Sequence, residues 1–158
     1  MKWHWLERGK SRAGHRLSGT ALFSDLGERE LRVVEAFAHE RQFLPDEVVF
    51  DAGEDGQALY VVVSGRVAVI AEGVGDKPLA ELVAGEFFGE MGLLDGAPRS
   101  AQIRALEPTT LVVLPRTEFD RLMVSHARIA SCISLQLARH LGRRLRAMLE
   151  LAPAREVS

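Results

Sequence analysis

Glu90 and Arg99 stand nine residues apart in the stretch GEFFGEMGLLDGAPRSA, residues 85–101, and their types suit the capture of a small phosphorylated sugar. An arginine presents a planar fork of N–H donors that can hold a phosphate through two hydrogen bonds. After a strand, Gly89-Glu90-Met91-Gly92-Leu93-Leu94 would open a short helical turn. The first N–H groups of such a turn have no partner within the helix and attract an anion. Gly89 and Gly92 would let a ligand approach the backbone closely. A carboxylate beside a phosphate would normally repel it, so Glu90 makes sense as the acceptor for a sugar hydroxyl. Phosphate and vicinal hydroxyl together describe a ribose phosphate. Taken singly, each residue has an ordinary structural reading. A glutamate at a helix start is favoured by the helix dipole, and an arginine at a strand edge is commonly a solvated charge. Their conjunction at fixed spacing is what points to a site.

Strands must deliver and receive that stretch, and residues 41–115 read as β throughout. Val48 to Phe50 is a short strand between the turn Leu44-Pro45-Asp46 and the loop Gly53-Glu54-Asp55-Gly56. Leu59 to Val63 and Arg66 to Ala71 are β-rich runs joined at Ser64-Gly65, which signals a hairpin because glycine tolerates positive φ. The turn Gly73-Val74-Gly75-Asp76 leads to a strand from Leu79 to Val83, and two more run from Ala101 to Ala105 and from Thr110 to Leu114. Short strands at this spacing suggest a sandwich or barrel rather than a parallel α/β sheet.

Helices flank the strands. One is expected from Ser24 to near Glu40, with acids crowding its start and Leu31, Val34 and Phe37 at helical spacing. After Pro115, Thr117 and Asp120 resemble a capping box, and Phe119, Leu122 and Met123 give that short helix its buried face. Ser125 is the expected cap of a longer helix that runs to about Leu151, just before Pro153, with Leu137, Leu141, Leu145 and Met148 in a stripe along it. Residues 1–22 read as a partly ordered N-terminal basic arm, whose Trp3, Trp5 and Leu6 could dock on the domain, on a partner subunit or on an anionic membrane surface, and 23–158 as one domain.

Composition narrows the function classes. A chain of 158 residues suits a single domain with a real core. Its apolar runs fall short of the ~18 residues that a membrane span needs. The N-terminus has charge without a hydrophobic stretch behind it, so it is not read as a signal peptide, and a cytoplasmic location is expected. The lone Cys132 fits a reducing compartment and is read as a helix-packing residue. Residues 21–115 carry seven Lys/Arg against 17 acids, which argues against a nucleic-acid surface there.

The pattern F-G-E-M-G-L-L followed by A-P-R-S-A resembles the phosphate-binding cassette of the cyclic nucleotide-binding domain family. That family includes bacterial catabolite activator proteins, kinase regulatory subunits and cyclic-nucleotide-gated channels. The resemblance covers about residues 24–151, and the upstream LPDEVVFDAGEDGQALYVVVSGRVAV has the family's turn, loop and Ser-Gly hairpin in order. It implies an α+β fold: a small antiparallel β-roll, jelly-roll-like (a double-stranded β-helix), flanked by an N-terminal helix and two C-terminal helices. It assigns Glu90 to the ribose 2′-hydroxyl and Arg99 to the cyclic phosphate, with Gly89, Met91, Gly92, Ser100 and Ala101 completing the cassette. Ser100 leans towards cAMP over cGMP, because family members preferring cGMP often have threonine there.

Two departures matter. Aligned on the activators' long helix, Arg144 and Leu145 fall where those proteins place a Thr-Ser pair against adenine. Arg143 or Arg144 is therefore the candidate to stack on the purine, against the plainer reading of solvated charges on a basic helix face. The activators also continue into a helix-turn-helix domain, whereas only seven residues follow Leu151 here, so sequence-specific DNA binding is not expected. The resemblance thus implies a non-catalytic sensor or regulatory domain without cofactor or metal, in which ligand binding moves the C-terminal helix. Its partners would be a cyclic nucleotide and either a second copy, through that helix, or an unidentified effector. Alternatives are the same fold with a different nucleotide signal, or a ligand-free interaction module. A cupin metal enzyme shares the β-roll but draws histidines from its strands, and His4, His15, His39, His126 and His140 all lie outside the expected roll.

Overall fold

The computed structural model describes residues 16–73, 75 and 77–151, so Trp3, Trp5, Leu6, His4, His15, Val74, Asp76 and Pro153 lie outside the described residues. A 3-10 turn at Ala21–Phe23 leads into α1 (Glu28–Ala36). The β-region comprises β1 (His39–Phe43), β2 (Val48–Phe50), β3 (Ala58–Ser64), β4 (Arg66–Ala71), β5 (Ala80–Val83) and β6 (Phe87–Phe88). After α2 (Glu90–Asp95) it resumes with β7 (Ala101–Ala105) and β8 (Thr109–Pro115). Two helices follow, α3 (Arg116–Ser125) and α4 (Ala127–Leu151). The strands form two antiparallel four-stranded sheets, ordered β1-β8-β3-β6 and β2-β7-β4-β5. This is the α+β roll with flanking helices that the sequence implies.

Three layers result, and the middle one explains the most apolar runs. In a strand, alternate side chains face opposite ways. Leu59 and Val61 of β3, Val112 and Leu114 of β8, and Phe87 of β6 pack against Leu22, Leu31, Phe119, Ile129, Ile133 and Leu137 of the helical layer. Their neighbours Ala58, Tyr60, Val62, Leu111, Val113 and Phe88 point the other way, onto Phe50, Val67, Ile103 and Ala105. The first sheet is therefore buried on both faces, and ALYVVV and LVVL are continuous apolar runs for that reason. Leu17, Thr20 and Leu22, placed in the N-terminal arm by sequence, are buried in this core, and Arg16 pairs with Glu35 and Glu40.

Several local expectations change. The first helix starts at Glu28 after Gly27, where Glu30 reaches back to the Gly27 N–H, and Ser24 instead closes the 3-10 turn. β1 was missed because HERQF carries a single inward residue, Phe43. His39 thus lies on a strand of the roll, but among the described residues no group of three His, Cys, Asp or Glu side chains is placed to hold a metal. Thr117 and Asp120 form no capping box, since α3 begins at Arg116 with Pro115 as its N-cap and no side-chain cap. Ser125 ends α3, where its hydroxyl donates to the Arg121 carbonyl at 2.7 Å, and the His126 carbonyl accepts the first bond of α4 from Ala130 at 2.9 Å.

The Ser64-Gly65 turn is not a hairpin but a corner between the sheets, because β3 pairs with β6 and β8 while β4 pairs with β5 and β7. Gly65 has φ +89°, and a Cβ there would sit 2.4 Å from the Thr109 hydroxyl and 2.5 Å from the Pro108 carbonyl. The buried Thr109 hydroxyl accepts from the Arg66 N–H at 3.2 Å and donates to the Glu107 carbonyl at 2.8 Å, which pins the corner. Gly65→Ala combines an unfavourable φ with a clash against backbone, so a stability loss of about 2–4 kcal/mol is expected in urea denaturation. A loss under about 0.5 kcal/mol would show that the corner is not so constrained.

Candidate functional site

The chain reaches the site from β6, whose Phe87 and Phe88 pair with Val61 and Tyr60 of β3. Gly89 then turns the backbone left-handed at φ +85° and serves as N-cap of α2. Seven residues later the helix stops at Gly96, φ +71°, whose N–H returns to the Gly92 carbonyl. Asp95 accepts the Ala97 N–H at 2.9 Å and shapes the exit. The loop before β3 clamps Arg99 on both sides: its N–H donates to the Glu54 carbonyl at 3.0 Å, and its carbonyl accepts from Gly53 at 2.7 Å.

Arg99 is 6% exposed, and among the described residues no carboxylate forms an ion pair with it. Its Nη1 donates to the Gly89 carbonyl at 3.4 Å, and its guanidinium carbon lies 4.2 Å from the centre of the Phe50 ring. Buried Nε has no hydrogen-bond partner. Burial pushes the guanidinium's pKa below its ordinary value, while Tyr60 and then Glu54 oppose the shift. A buried charge without a counter-ion costs stability, and an unfilled donor costs more. The glycines make the room: a Cβ at Gly89, Gly92 or Gly56 would stand 3.0, 3.3 or 3.5 Å from the guanidinium. Gly89 and Gly92 thus admit Arg99 itself to the backbone, where the sequence suggested a ligand.

Glu90, one turn away, is 3% exposed and faces α4. Its Oε1 accepts from Arg144 Nη1 at 3.0 Å and lies 3.4 Å from His140 Nε2. His140 was not foreseen, although it stands four residues before Arg144 on one helical face; its ring packs on Phe87 with centroids 4.5 Å apart. Arg144 is brought to the site, onto Glu90 and 4.0 Å from the Met91 sulfur. Arg143 is exposed, as are Met91 and Ser100, while Ala101 is half-buried and Gly92 buried. Phe50 and Tyr60, the aromatic bed of Arg99, were also missed, because β-strand aromatics read first as core.

A second polar chain leaves the cassette. Gln57 donates through Nε2 to the Gly96 carbonyl at 3.3 Å and accepts from the Arg116 side chain. The Arg116 N–H also donates to the Gln57 carbonyl at 3.0 Å. The end of α2 is therefore linked through one side chain to the first residue of α3.

This geometry prepares a cation, flanked by glycine backbone, for an anion. A family model described as cyclic nucleotide-binding domain matches residues 40–126, more than half of the chain. The chain belongs to the cyclic nucleotide-binding domain family. The Cyclic AMP receptor protein of Thermus thermophilus is 38% identical over 127 residues, which are 79% of this chain and 59% of that protein. The cGMP-dependent protein kinase of Eimeria tenella is 35% identical over 107 residues, 68% of this chain and 10% of that protein. The crystal structure of the Thermus thermophilus catabolite activator protein superposes with TM-score 0.74 at 38% identity, covering 84% of this chain and 62% of that one. The chain thus spans less than two thirds of the length of each of these relatives. What the family shares is a ligand-binding, non-catalytic regulatory domain. No helix among the described residues is long and apolar enough to cross a membrane.

If Arg99 is held for a ligand at the expense of the fold, Arg99→Met should leave the unfolding free energy within about 1 kcal/mol of the parent or raise it. Urea denaturation checks this. A loss above about 2 kcal/mol would mark the arginine as structural.

Proposed function

We propose that this chain binds a cyclic nucleotide as a sensor or regulatory domain, with cAMP favoured over cGMP. The observation that carries the reading is the buried Arg99, whose Nε has no hydrogen-bond partner and which has no ion-paired carboxylate among the described residues. A cyclic phosphate supplies the missing anion and acceptor together. Gly89, Met91, Gly92, Ser100 and Ala101 line the approach from the cassette, and Glu90 accepts a ribose hydroxyl. Ser100 is exposed at the mouth, and the lean towards cAMP rests on it. Since Arg144 is engaged by Glu90, Arg143 is the one of the two candidate arginines left for the purine face.

Binding at the cassette reaches the helices by two routes. Gln57 ties the end of α2 to the start of α3, and Glu90 touches α4 directly. A ligand shifts these helices only by the difference in its affinity for their two arrangements. A second copy docking on α4 is the partner favoured by Leu135, Leu145 and Leu149, all exposed on the outer side of that helix. Such a domain suits a cytoplasmic signalling protein.

Calorimetric titration with cAMP and with cGMP tests the reading. The parent should bind both, cAMP the tighter, and Arg99→Ala should lose at least about 30-fold in affinity, as truncation of one partner of a buried charge pair does. Undiminished binding by Arg99→Ala would remove the phosphate contact. A parent that binds neither nucleotide would favour another nucleotide signal or a ligand-free interaction module.

A further inference from the structure

The Glu90 carboxylate is enclosed by α4. Its side chain is 4% exposed, and a single oxygen, Oε1, takes both Arg144 Nη1 at 3.0 Å and His140 Nε2 at 3.4 Å. The two donors stand one helical turn apart, so they share a face. They continue the line of Ile129, Ile133 and Leu137, which are buried in the core, to the point where apolar contact ends. Phe87 holds the imidazole at that carboxylate. Beyond this point α4 has little else among the described residues to keep it down. Residues 142–151 are all exposed, and the polar contacts recorded for them run from Arg144 to Glu90 and Met91. Gly142 lies between the two donors with no atom within 4 Å of where a Cβ would be, and an exposed glycine inside a helix costs about 1 kcal/mol against alanine.

We propose that Arg144 and His140 are affinity-setting residues that oppose ligand binding: they hold the Glu90 carboxylate in competition with the ribose hydroxyl. This rests on the cyclic nucleotide reading of the site and goes beyond it by giving the sign of the contribution of α4. A sugar hydroxyl seats on Glu90 by displacing donors already in place. Their release frees the second half of α4, because that contact is its tether to the cassette. Arg144 is therefore a latch residue whose removal tightens binding, whereas a purine-stacking arginine would weaken binding when removed. The Arg144 side chain is 54% exposed, which keeps the pair in the range of a surface ion pair. A gain in affinity of roughly two- to fivefold is the corresponding expectation.

The test compares the full chain with Arg144→Ala, His140→Ala and the double variant in calorimetric titrations with cAMP and cGMP. Amide hydrogen exchange across residues 142–151, measured without nucleotide, accompanies them. The exposed position of Arg144 leaves folding safe, and exchange elsewhere in the chain verifies it. The latch predicts tighter binding by each single variant and faster exchange over 142–151. Weaker binding by Arg144→Ala would overturn it and assign that arginine to the ligand. Unchanged affinity with unchanged exchange would overturn it as well. A parent silent towards both nucleotides removes the cyclic nucleotide reading and the competition with it. A parent that binds normally, with no variant tightened, removes the competition alone.

Discussion

Burial of one guanidinium without a counter-ion is the constraint around which this end of the roll is built. Fixing Arg99 at 6% exposure requires that something replace water around the charge. The structure supplies the Phe50 ring, the Gly89 carbonyl and the polar edge of Tyr60. These stabilise a cation without neutralising it. Glycine at positions 89 and 92 follows from the same need, since a Cβ there would stand only 3.0 or 3.3 Å from the guanidinium. So does the clamp from the 53–54 backbone, which fixes where the Arg99 side chain begins.

The layered fold then determines what can respond to that charge. β3 faces the sheet-sheet core with Tyr60 and the helical core with Leu59 and Val61, and β6 does the same with Phe88 and Phe87. The cassette that follows β6 therefore sits at the seam of both cores. On one side it meets the aromatic bed of Arg99, and on the other it meets α4. Gln57, just before β3, lies where the end of α2 and the first turn of α3 converge. In the proposed sensor, a small displacement of α2 would bear on two helices, because close-packed elements do not absorb it elastically.

The site was legible in the sequence where residue type alone sets the chemistry. Glu90, Arg99 and the glycines between strand and helical turn stand out by their types and spacing, and the ligand roles proposed for them rest on that. Roll and flanking helices were legible too, from apolar runs too short for helices and punctuated by glycine. What failed were features decided by tertiary partners. The Ser64-Gly65 corner looks like a hairpin because local turn chemistry cannot say which strand β4 will pair with. β1 escaped notice because an edge strand of HERQF shows no alternation. The roles of His140 and Arg144 depend on how far α4 runs along the roll before leaving it. The stripe from Leu137 through Leu141 to Leu145 and Met148 is a sound helical pattern. Only Leu137 of it is buried, since the layer beneath ends at Phe87 and Glu90.

That ending divides α4 into two surfaces. The inner one passes from Ile129, Ile133 and Leu137 to His140 and Arg144 and touches the domain's own core and cassette. The outer one carries Leu135, Leu145 and Leu149, exposed and roughly 100–180° around the helix from Arg144. A helix whose two jobs shared residues would have to break one contact to make the other. With the faces separated, the proposed second subunit would hold the outer face without touching the donors at Glu90. Only the part of α4 beyond Leu137 would be free to move in that arrangement, because its inner contact there is polar and few-membered while Ile129, Ile133 and Leu137 stay in the core. If α4 carries the proposed second copy, this separation of faces is what would let a change at one carboxylate pass across that interface rather than be absorbed within a single chain.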